Sequence, residues 1–330
     1  MKILILRFSS IGDIVLTSPV LRCVKEQVPD VRIHYATKKS YAGIVASNPY
    51  VDKVHALDKD IKELIVELSR ENFDLIIDLH NNVRTQIIKF RLRIKSKTVN
   101  KLNFEKWLLT QFKIDKLPKY NHIVDRYLYT AKTLGVKNDS KGLDFFIPKK
   151  DEIKVSEMFL EVGDNYIAIA IGAKFFTKRL PYTKIIEICN KLNQPIILLG
   201  GLEDLARGEE IVRHTTNQQV VTACGKLNLN QSAWVVKQAQ LLITHDTGLM
   251  HIGAAFNKNM ITIWGNTVPE LGMYPYMDKE NYKIIQVEDL SCKPCSKIGY
   301  KECPKKHFKC MNDINTDEIV KQANYYLIPA

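Results

Sequence analysis

Short aliphatic runs alternate with stretches of helical periodicity along most of the chain, and this alternation constrains the fold more than any other feature. The runs predict strands at residues 2–8, 31–36, 53–57 and 73–79, and again at 166–171, 195–199, 220–223, 241–244 and 260–264. Helical patterns occupy residues 15–28, 61–71, 122–134, 182–192, 202–214, 230–239 and 249–256. Strands that alternate with helices form parallel sheets covered on both faces. The sequence therefore predicts an α/β protein with doubly wound, Rossmann-like sheets.

The two rounds of this pattern predict two domains. A chain of 330 residues is about twice the size of a typical domain, and a charged segment at residues 148–162 separates the rounds. We place the first domain at residues 1–155 and the second at 156–330, and the sequence leaves open whether the last helix returns to the first domain. Doubly wound sheets bind ligands beyond the carboxyl ends of their strands. Two such domains facing each other therefore predict an active site in a cleft.

The charge pattern predicts a cytoplasmic protein without a membrane span. No stretch free of Asp, Glu, Lys and Arg exceeds 12 residues, whereas a transmembrane helix needs about 18. The first apolar run is too short for the core of a signal peptide, and Arg7 interrupts it. The number of cysteines is odd, seven, which does not suggest a disulfide framework.

Positive charge is concentrated in one part of the chain. The formal net charge is +12, and residues 84–120 contain eleven basic and two acidic residues. Such a segment attracts an anionic membrane, a phosphorylated glycolipid or a nucleic acid, unless it is simply a solvated surface. Apolar residues are interleaved with the charges, which favours a membrane interface. We therefore predict an acceptor or membrane surface at Lys89, Arg91 and Arg93, and no nucleic-acid partner, since no nucleic-acid-binding motif is recognisable.

Loops after predicted strands carry residues suited to catalysis. Gly12 and Asp13 follow the first strand, where glycine allows close approach of a ligand and a carboxylate can take a proton from a hydroxyl group. An Asp in a first helical turn is also common for structural reasons alone. In the second round, Lys174 and Lys178 can balance a diphosphate. Glu203 can accept hydrogen bonds from a ribose or complement a helix dipole.

A further loop joins the strand at 241–244 to a helix of small residues, and it contains Asp246, Thr247, Gly248 and His251. The free N–H groups and the dipole of such a helix form an anion site, to which Thr247 and His251 can add donors. Alternatively, Asp246 caps the helix and His251 is a core residue. Neither G-x-G-x-x-G nor the P-loop pattern occurs, so the dinucleotide and P-loop fingerprints are absent.

In this order and spacing, the loops resemble glycosyltransferase family 9, the ADP-heptose:lipopolysaccharide heptosyltransferases. The similar segments are ILRFSSIGDIVLTSPVL, FDLIIDLHNNVRT, HIVDRYL, KRLP and DTGLMHIGAAFNKNMITIWGNTVPE. The resemblance implies a GT-B fold and an inverting, metal-independent transfer that requires no cofactor. It also implies that the second domain binds ADP-heptose. The first domain would bind a lipopolysaccharide core acceptor at the inner face of the cytoplasmic membrane.

The resemblance also implies roles for individual residues. Asp13 falls on the catalytic base, Lys178 on the lysine that binds the diphosphate, and Glu203 on the acid that contacts the ribose. Asp246, Thr247, Gly248 and His251 fall on the donor loop, and Leu227 lies near the segment that lines the adenine. Gly12 and Lys174 complete the predicted donor site. Residues 89–119 cannot be matched to the family residue by residue.

Four cysteines near the end of the chain form a candidate metal site. Cys292, Cys295, Cys303 and Cys310 include one Cys-x2-Cys pair, and four thiolates suit tetrahedral Zn²⁺. The second pair is more widely spaced than in a standard zinc ribbon. A structural zinc site and reduced or partly disulfide-linked thiols therefore both stay open.

Functions of two other classes stay open beside glycosyl transfer. A nucleotide-sugar epimerase can share the two-domain architecture, and it would release an altered sugar without any acceptor. A nucleic-acid-binding protein would use the basic segment at residues 84–120.

Overall fold

A computed structural model describes residues 1–119 and 122–328. The chain folds into two compact units, which we call unit 1 and unit 2. Unit 1 comprises Met1–Asn103 and Pro118–Phe146, and unit 2 comprises Phe104–Leu117 and Ile147–Ala330.

The segment that follows Phe146 is tied to unit 2 by side-chain hydrogen bonds. Asp151 accepts hydrogen bonds from the side-chain amides of Asn228 and Asn230, both at 2.9 Å. The indole of Trp234 donates to the carbonyl oxygen of Ile153 at 2.7 Å. These contacts explain why the two units divide before residue 155, where the sequence pattern places the boundary.

Unit 1 is built on a parallel sheet. Within the described residues it has five strands: β1 (Lys2–Leu6), β2 (Arg32–Lys38), β3 (Lys53–Leu57), β4 (Leu75–Asp78) and β5 (Ser96–Thr98). Their order in the sheet is β3-β2-β1-β4-β5. The helices of this half are α1 (Ile11–Val15), α2 (Ser18–Gln27), α3 (Ala42–Val45), α4 (Ile61–Ser69), α5 (Val83–Leu92), α6 (Asn103–Phe112) and α7 (Ile123–Thr130). Of these, α6 belongs almost entirely to unit 2.

Unit 2 is built on a second parallel sheet. In the described part of the chain its strands are β6 (Ile167–Ala170), β7 (Ile196–Leu199), β8 (Val220–Thr222), β9 (Leu241–His245), β10 (Met260–Trp264) and β11 (Tyr282–Gln286), in the order β11-β10-β9-β6-β7-β8. The helices are α8 (Val155–Met158), α9 (Tyr182–Lys191), α10 (Leu205–His214), α11 (Leu229–Gln238), α12 (Gly248–Ala255), α13 (Lys309–Asn312) and α14 (Thr316–Leu327). The last helix, α14, packs on α9 and on β9, β10 and β11 within unit 2.

The central strands are aliphatic because helices cover both faces of each sheet. In unit 1, Leu4, Leu6 and Ile76 pack with Leu64 and Leu68 of α4 in one buried cluster. In unit 2, a larger cluster joins β6, β7, β9 and β10 to α9 and α14. Burial of each such side chain stabilises the fold by about 1.5–3 kcal/mol. The clusters therefore hold the strands in place, and with them the loops that follow the strands.

In each sheet, successive strands are added first on one side of the first strand and then on its other side. In unit 1 the chain runs from β1 outward to β3 and returns on the other side of β1 as β4. In unit 2 it runs from β6 outward to β8 and returns beside β6 as β9. Ligands of doubly wound sheets bind at such topological switch points, beyond the carboxyl ends of the strands. The loops after β1 and β4, and after β6 and β9, are therefore the expected ligand sites.

The long helix predicted at residues 15–28 is interrupted in the structure. It becomes α1 and α2, and Pro19 lies in the first turn of α2, where its missing N–H group leaves no hydrogen bond unmade. Across residues 1–119 and 122–328, none of the helices is both long and apolar enough to cross a membrane.

Candidate active site

Arg7 and Asp13 form an ion pair beyond the carboxyl end of β1. The guanidinium Nη2 lies 2.6 Å from Asp13 Oδ1. The other carboxylate oxygen, Oδ2, accepts hydrogen bonds from the backbone N–H and the hydroxyl group of Ser10, at 3.1 and 2.7 Å. Asp13 therefore supports the start of α1 and is also held by a cation, with Gly12 buried beside it. The Asp13 side chain keeps 24% of its surface exposed, so a hydroxyl group can reach it from solvent.

Arg7 spans the switch point of unit 1. Its Nη1 donates hydrogen bonds to the carbonyl oxygen of Leu79, which follows β4, at 2.6 Å, and to the hydroxyl group of Tyr127 at 2.8 Å. Its Nε donates to the carbonyl oxygen of Ser9 at 2.8 Å. Burial disfavours the charged guanidinium, but the charge and hydrogen bond of Asp13 together with the nearby hydroxyl groups of Tyr127 and Tyr35 outweigh it, and the pKa of Arg7 is raised above its usual value. Arg7 is therefore a permanent cation that orients the Asp13 carboxylate.

His80, which follows β4, packs on the same loop as a neutral side chain. Its Nδ1 accepts a hydrogen bond from the backbone N–H of Phe8 at 3.0 Å. Burial, together with the charge of Arg7, lowers the pKa of His80 to about 3. Since Nδ1 is an acceptor, the single proton of the neutral ring lies on Nε2. The imidazole is thus a hydrogen-bond donor in this region and adds no second positive charge.

Lys89 does not lie on the open surface that the sequence predicts. Its Nζ is 2.9 Å from Asp78 Oδ2 and donates to Thr98 Oγ1 at 2.8 Å. Asp78 is fully buried, and a buried carboxylate requires such a partner. Arg91 and Arg93 are exposed at the end of α5. The structure therefore assigns Lys89 to the sheet edge and leaves the two arginines at the surface.

Lys178 and Asp246 form a second ion pair, at the switch point of unit 2. Lys178 follows β6, and its Nζ lies 2.5 Å from Asp246 Oδ2, beyond β9. It also donates to the carbonyl oxygen of Asp246 at 3.2 Å. The hydroxyl group of Thr267, after β10, donates to the same Oδ2 at 2.9 Å. Only 15% of the Lys178 side chain and 9% of the Asp246 side chain are exposed, so the pair holds three loops together in a largely buried setting.

The loop that contains Asp246 leads into α12, close to the predicted position. Thr247 is the N-cap residue, and its hydroxyl group makes no cap hydrogen bond; it lies 3.4 Å from the hydroxyl group of Thr244. The N–H groups of the first turn, from Gly248 onward, have no intrahelical acceptor and carry the positive end of the helix dipole. His251 is buried on the same helix. The start of α12 therefore offers backbone donors and a hydroxyl group to an anion beside Lys178.

The remaining donor-site candidates lie beyond the carboxyl ends of β6, β7 and β8. Lys174 is exposed, with its ammonium group 5.5 Å from the ring centroid of Phe175. Glu203 is exposed in the turn after β7, and Leu227 is half-buried just before α11. The structure thus brings the unit 2 candidates to one edge of one sheet. Gly12 and Asp13 belong to unit 1.

The four C-terminal cysteines are free thiols, of which Cys310 is buried and Cys292, Cys295 and Cys303 are partly buried. Burial raises the pKa of Cys295 to about 11 and that of Cys310 to about 12. Cys292 Sγ lies 3.7 Å from Nε2 of His307. Within residues 1–119 and 122–328, no three of these sulfur and nitrogen atoms are all within 4.8 Å of one another. The zinc alternative stays a prediction, which elemental analysis of the purified protein would test.

In the described part of the chain, one group of three His, Cys, Asp or Glu side chains has all its potential ligand atoms within 4.8 Å of one another. It consists of His34, His55 and Glu71. Nδ1 of His34 is 2.9 Å from Nε2 of His55, whose Nδ1 is 2.5 Å from Glu67. Glu71 pairs with two lysine ammonium groups, at 3.1 and 2.5 Å. The imidazoles therefore already form a hydrogen-bonded chain, and the two ammonium groups repel a further cation. We assign this cluster a structural role.

Three side chains of the two ion-pair sites are not predicted by the sequence patterns: Arg7, Tyr127 and Thr267. Arg7 carries a usable signal, because a charge directly after a run of buried aliphatic residues must find a partner. Tyr127 contacts Arg7, and Thr267 contacts Asp246, across long separations in sequence. No local sequence pattern predicts contacts between residues so far apart in the chain.

The sequence model of glycosyltransferase family 9 (heptosyltransferase) matches residues 61–307. The chain belongs to this family. A lipopolysaccharide heptosyltransferase 1 from Campylobacter coli is 28% identical over 292 residues, which cover 81% of this chain and 84% of that protein. The crystal structure of the family 9 glycosyl transferase from Veillonella parvula has a TM-score of 0.81 at 22% identity, covering 100% of this chain and 98% of its own. The solved structure of Escherichia coli heptosyltransferase WaaC with ADP has a TM-score of 0.71 at 20% identity, covering 99% of this chain and 100% of that chain.

The predicted family and fold class are confirmed by these comparisons: the family 9 chain has a GT-B fold with two Rossmann-like units, and it is a glycosyltransferase of the heptosyltransferase type. Membership favours transfer over the epimerase and nucleic-acid-binding alternatives. The family match begins at residue 61, so Asp13 lies outside it. The role of Asp13 must therefore be argued from its own geometry.

Proposed function

We propose that this family 9 enzyme transfers a heptose from ADP-heptose to the inner core of lipopolysaccharide, with inversion at the anomeric carbon and without a metal ion. The observation that supports this most directly is the Lys178 ammonium group, held by Asp246, beside the N-terminus of α12 at the switch point of unit 2. The WaaC structure similar to this chain was solved with ADP. Unit 2 is the donor-binding unit in this proposal, and unit 1 binds the acceptor.

Asp13 is the general base of the proposed reaction. Its carboxylate takes the proton of the acceptor hydroxyl group while the new bond to the anomeric carbon forms and the bond to ADP breaks. Proton transfer of this kind contributes about 10²–10⁴-fold to the rate. Arg7 fixes one oxygen of the carboxylate and Ser10 the other, which orients the group toward solvent. A direct displacement from one face of the sugar inverts its configuration.

Lys178 and the start of α12 stabilise the departing diphosphate. Negative charge grows on the leaving group in the transition state, and positioned donors in a partly buried site stabilise it without reorganisation. Asp246 holds the Lys178 ammonium in place before the donor binds. Thr247 and the N–H groups from Gly248 onward add neutral donors, Glu203 contacts the ribose and Leu227 lies beside the adenine.

This set of donors supports the proposal of metal independence. The only Asp-x-Asp triplet of the sequence is formed by Asp58 and Asp60, and both aspartates are engaged locally. Asp60 caps α4 by accepting a hydrogen bond from the backbone N–H of Lys62 at 2.8 Å, and Asp58 pairs with Lys39 at 3.0 Å. A diphosphate–metal complex would therefore find no carboxylate pair of this pattern at either switch point.

The acceptor is a phosphorylated, lipid-linked sugar in this proposal, so the enzyme works at the inner face of the cytoplasmic membrane. Arg91 and Arg93 are exposed in unit 1 and supply positive charge for an anionic acceptor or lipid surface. Lys89 is not part of that surface, because its ammonium group pairs with Asp78.

A thermal-shift screen with nucleotides and nucleotide sugars tests the donor assignment. A ligand that binds the folded state raises the melting temperature, so ADP and ADP-heptose should raise it, whereas UDP-glucose and GDP-mannose should raise it less. Lys178→Met serves as the matched control and should remove most of the ADP shift. An equal shift with all nucleotide sugars, or none with ADP-heptose, would contradict the proposed donor.

A further inference from the structure

Helix α6 is amphipathic and only one of its faces is packed. Although residues of unit 1 precede and follow it in sequence, Phe104–Leu117 belongs to unit 2. Leu109 on the inner face packs with Val268 and Leu271, and Leu117 joins this cluster. Lys113, just after the helix, donates hydrogen bonds to the carbonyl oxygens of Thr110 and Pro294, both at 2.7 Å. The helix is therefore firmly seated on unit 2.

The opposite face presents large apolar side chains to solvent. Phe104, Trp107 and Phe112 are 66%, 47% and 58% exposed, and Ile114 after the helix is 46% exposed. Phe104 and Trp107 are three residues apart and therefore share one side of the helix. The rings contact each other: Phe104 stacks on Trp107 at 6.0 Å, and Phe112 meets the Trp107 ring edge-on at 5.1 Å. We call these three aromatic side chains the α6 aromatic face.

Lysines accompany the α6 aromatic face in the sequence. Residues 101–119 contain five lysines and two acidic residues. Lys106 is buried and Lys113 is bonded to carbonyl oxygens, whereas Lys116, in the same unit as the helix, is exposed. Exposed contiguous apolar surface marks an interaction site, and its combination with lysines fits a partner that is apolar inside and anionic at its surface. Trp and Phe are also the residues that settle at the boundary between headgroups and acyl chains.

We propose that the α6 aromatic face inserts into the interfacial region of an anionic phospholipid bilayer and so anchors the enzyme to the membrane. This assigns the anchor to unit 2 and to aromatic side chains, in addition to the arginines of α5. The inference rests on the membrane location proposed above. Because lipid binding is measured without donor or acceptor, its failure is distinguishable from failure of the transfer assay.

Trp107 provides a direct optical test. The sequence has three tryptophans: Trp264 is fully buried, and Trp234 is partly buried with its indole bonded to a backbone carbonyl oxygen. On addition of phosphatidylglycerol–phosphatidylethanolamine vesicles, the emission should shift to the blue and be quenched by brominated acyl chains. Trp107→Phe should abolish the optical change while vesicle co-sedimentation persists. An emission spectrum that does not respond to saturating vesicles would overturn the proposal.

Co-sedimentation with variants separates the α6 aromatic face from other surfaces. The double variant Phe104→Ser/Trp107→Ser should bind the vesicles at least about tenfold more weakly, because two aromatic side chains that the bilayer would bury are lost. The control variant Tyr325→Ser, which changes a 68% exposed residue of α14, should bind the vesicles as the unchanged protein does. The melting temperature of the double variant should equal that of the unchanged protein. Binding should weaken as salt rises. Unaltered vesicle binding by the double variant overturns the proposal, and so does a change confined to its oligomeric state in light scattering.

Discussion

Replacement of Asp13 by Asn separates the proposed catalytic role of this carboxylate from its structural role. The change removes the charge and the proton-accepting capacity but keeps the shape. Loss of a general base predicts a fall in turnover of about 10²–10⁴-fold. Donor affinity should not change, because the proposed donor site lies in unit 2. Heptose transfer from ADP-heptose, followed with purified acceptor and with ADP binding measured in parallel by calorimetry, tests this.

The same replacement also leaves the Arg7 guanidinium without its counter-charge. The Arg7 side chain is 8% exposed, and removal of one partner of a buried pair costs about 3–5 kcal/mol. Arg7 keeps three neutral oxygen acceptors, and Asp13 is itself partly solvated, so we expect the low end, about 3 kcal/mol. All three tryptophans lie in unit 2. Hydrogen exchange of the β1 amides is therefore the appropriate measure of unit 1 stability.

The double variant Arg7→Met/Asp13→Asn decides between the two effects. It removes both charges, so its loss of stability should be smaller than the sum of the two single losses, by about 2 kcal/mol. Turnover should remain as low as in Asp13→Asn alone. Additive losses of stability would refute the coupling of Arg7 to Asp13. Turnover of Asp13→Asn within tenfold of the unchanged enzyme would remove Asp13 as the base.

Three further predictions concern other parts of the molecule. Lys178→Met should weaken ADP binding at least tenfold in calorimetry, since it removes the only ammonium group paired with Asp246 in the described structure; equal affinity would exclude the assigned role. Transfer should be unchanged by excess EDTA, and a loss that Mg²⁺ restores would contradict a metal-free mechanism. Burial and the neighbouring His55 lower the pKa of His34 to about 4, below the unfolded value of about 6.5. The unfolded state therefore binds more protons between these values, and the free energy of unfolding should fall by about 3 kcal/mol as the pH drops from 6.5 to 4; a His34→Gln variant with the same pH dependence would refute this.

The alternation of strands and helices was predictable wherever a strand carries a clear aliphatic run. The bounds of β10, which is buried along its whole length, agree with the run that predicts it. The edge strands β3 and β8 were also predicted, whereas the edge strands β5 and β11 escape prediction. An edge strand buries fewer of its side chains: in β11 only Ile285 is fully buried. The apolar pattern of β11 is correspondingly weak, and its pairing with β10 rather than its own sequence makes it a strand.

The basic segment shows a second limit of local pattern. Residues 84–120 predict a charged surface, yet the structure of residues 84–119 contains a sheet-edge ion pair, an edge strand and a helix packed on unit 2. Lys89 pairs with a carboxylate of β4, and nothing near Lys89 in sequence distinguishes it from Arg91 or Arg93. The composition predicts that such a segment is cationic. Whether a given cation of this segment forms an ion pair depends on acidic residues elsewhere in the sequence, which come close to it only in the folded chain.

The two switch points share one arrangement, a cation that bridges two loops, but we propose different roles for the carboxylates paired with that cation. In each, a cation that follows the first strand of the sheet spans to the loop after the returning strand: Arg7 to the carbonyl oxygen of Leu79, and Lys178 to Asp246. In unit 1 the partner carboxylate, Asp13, is 24% exposed, and it can therefore meet a substrate hydroxyl group. In unit 2 the partner carboxylate is 9% exposed and also bonded to Thr267. Since a base must contact the proton that it removes, exposure rather than residue type is what supports our proposal that Asp13 is the proton acceptor and that Asp246 positions a lysine.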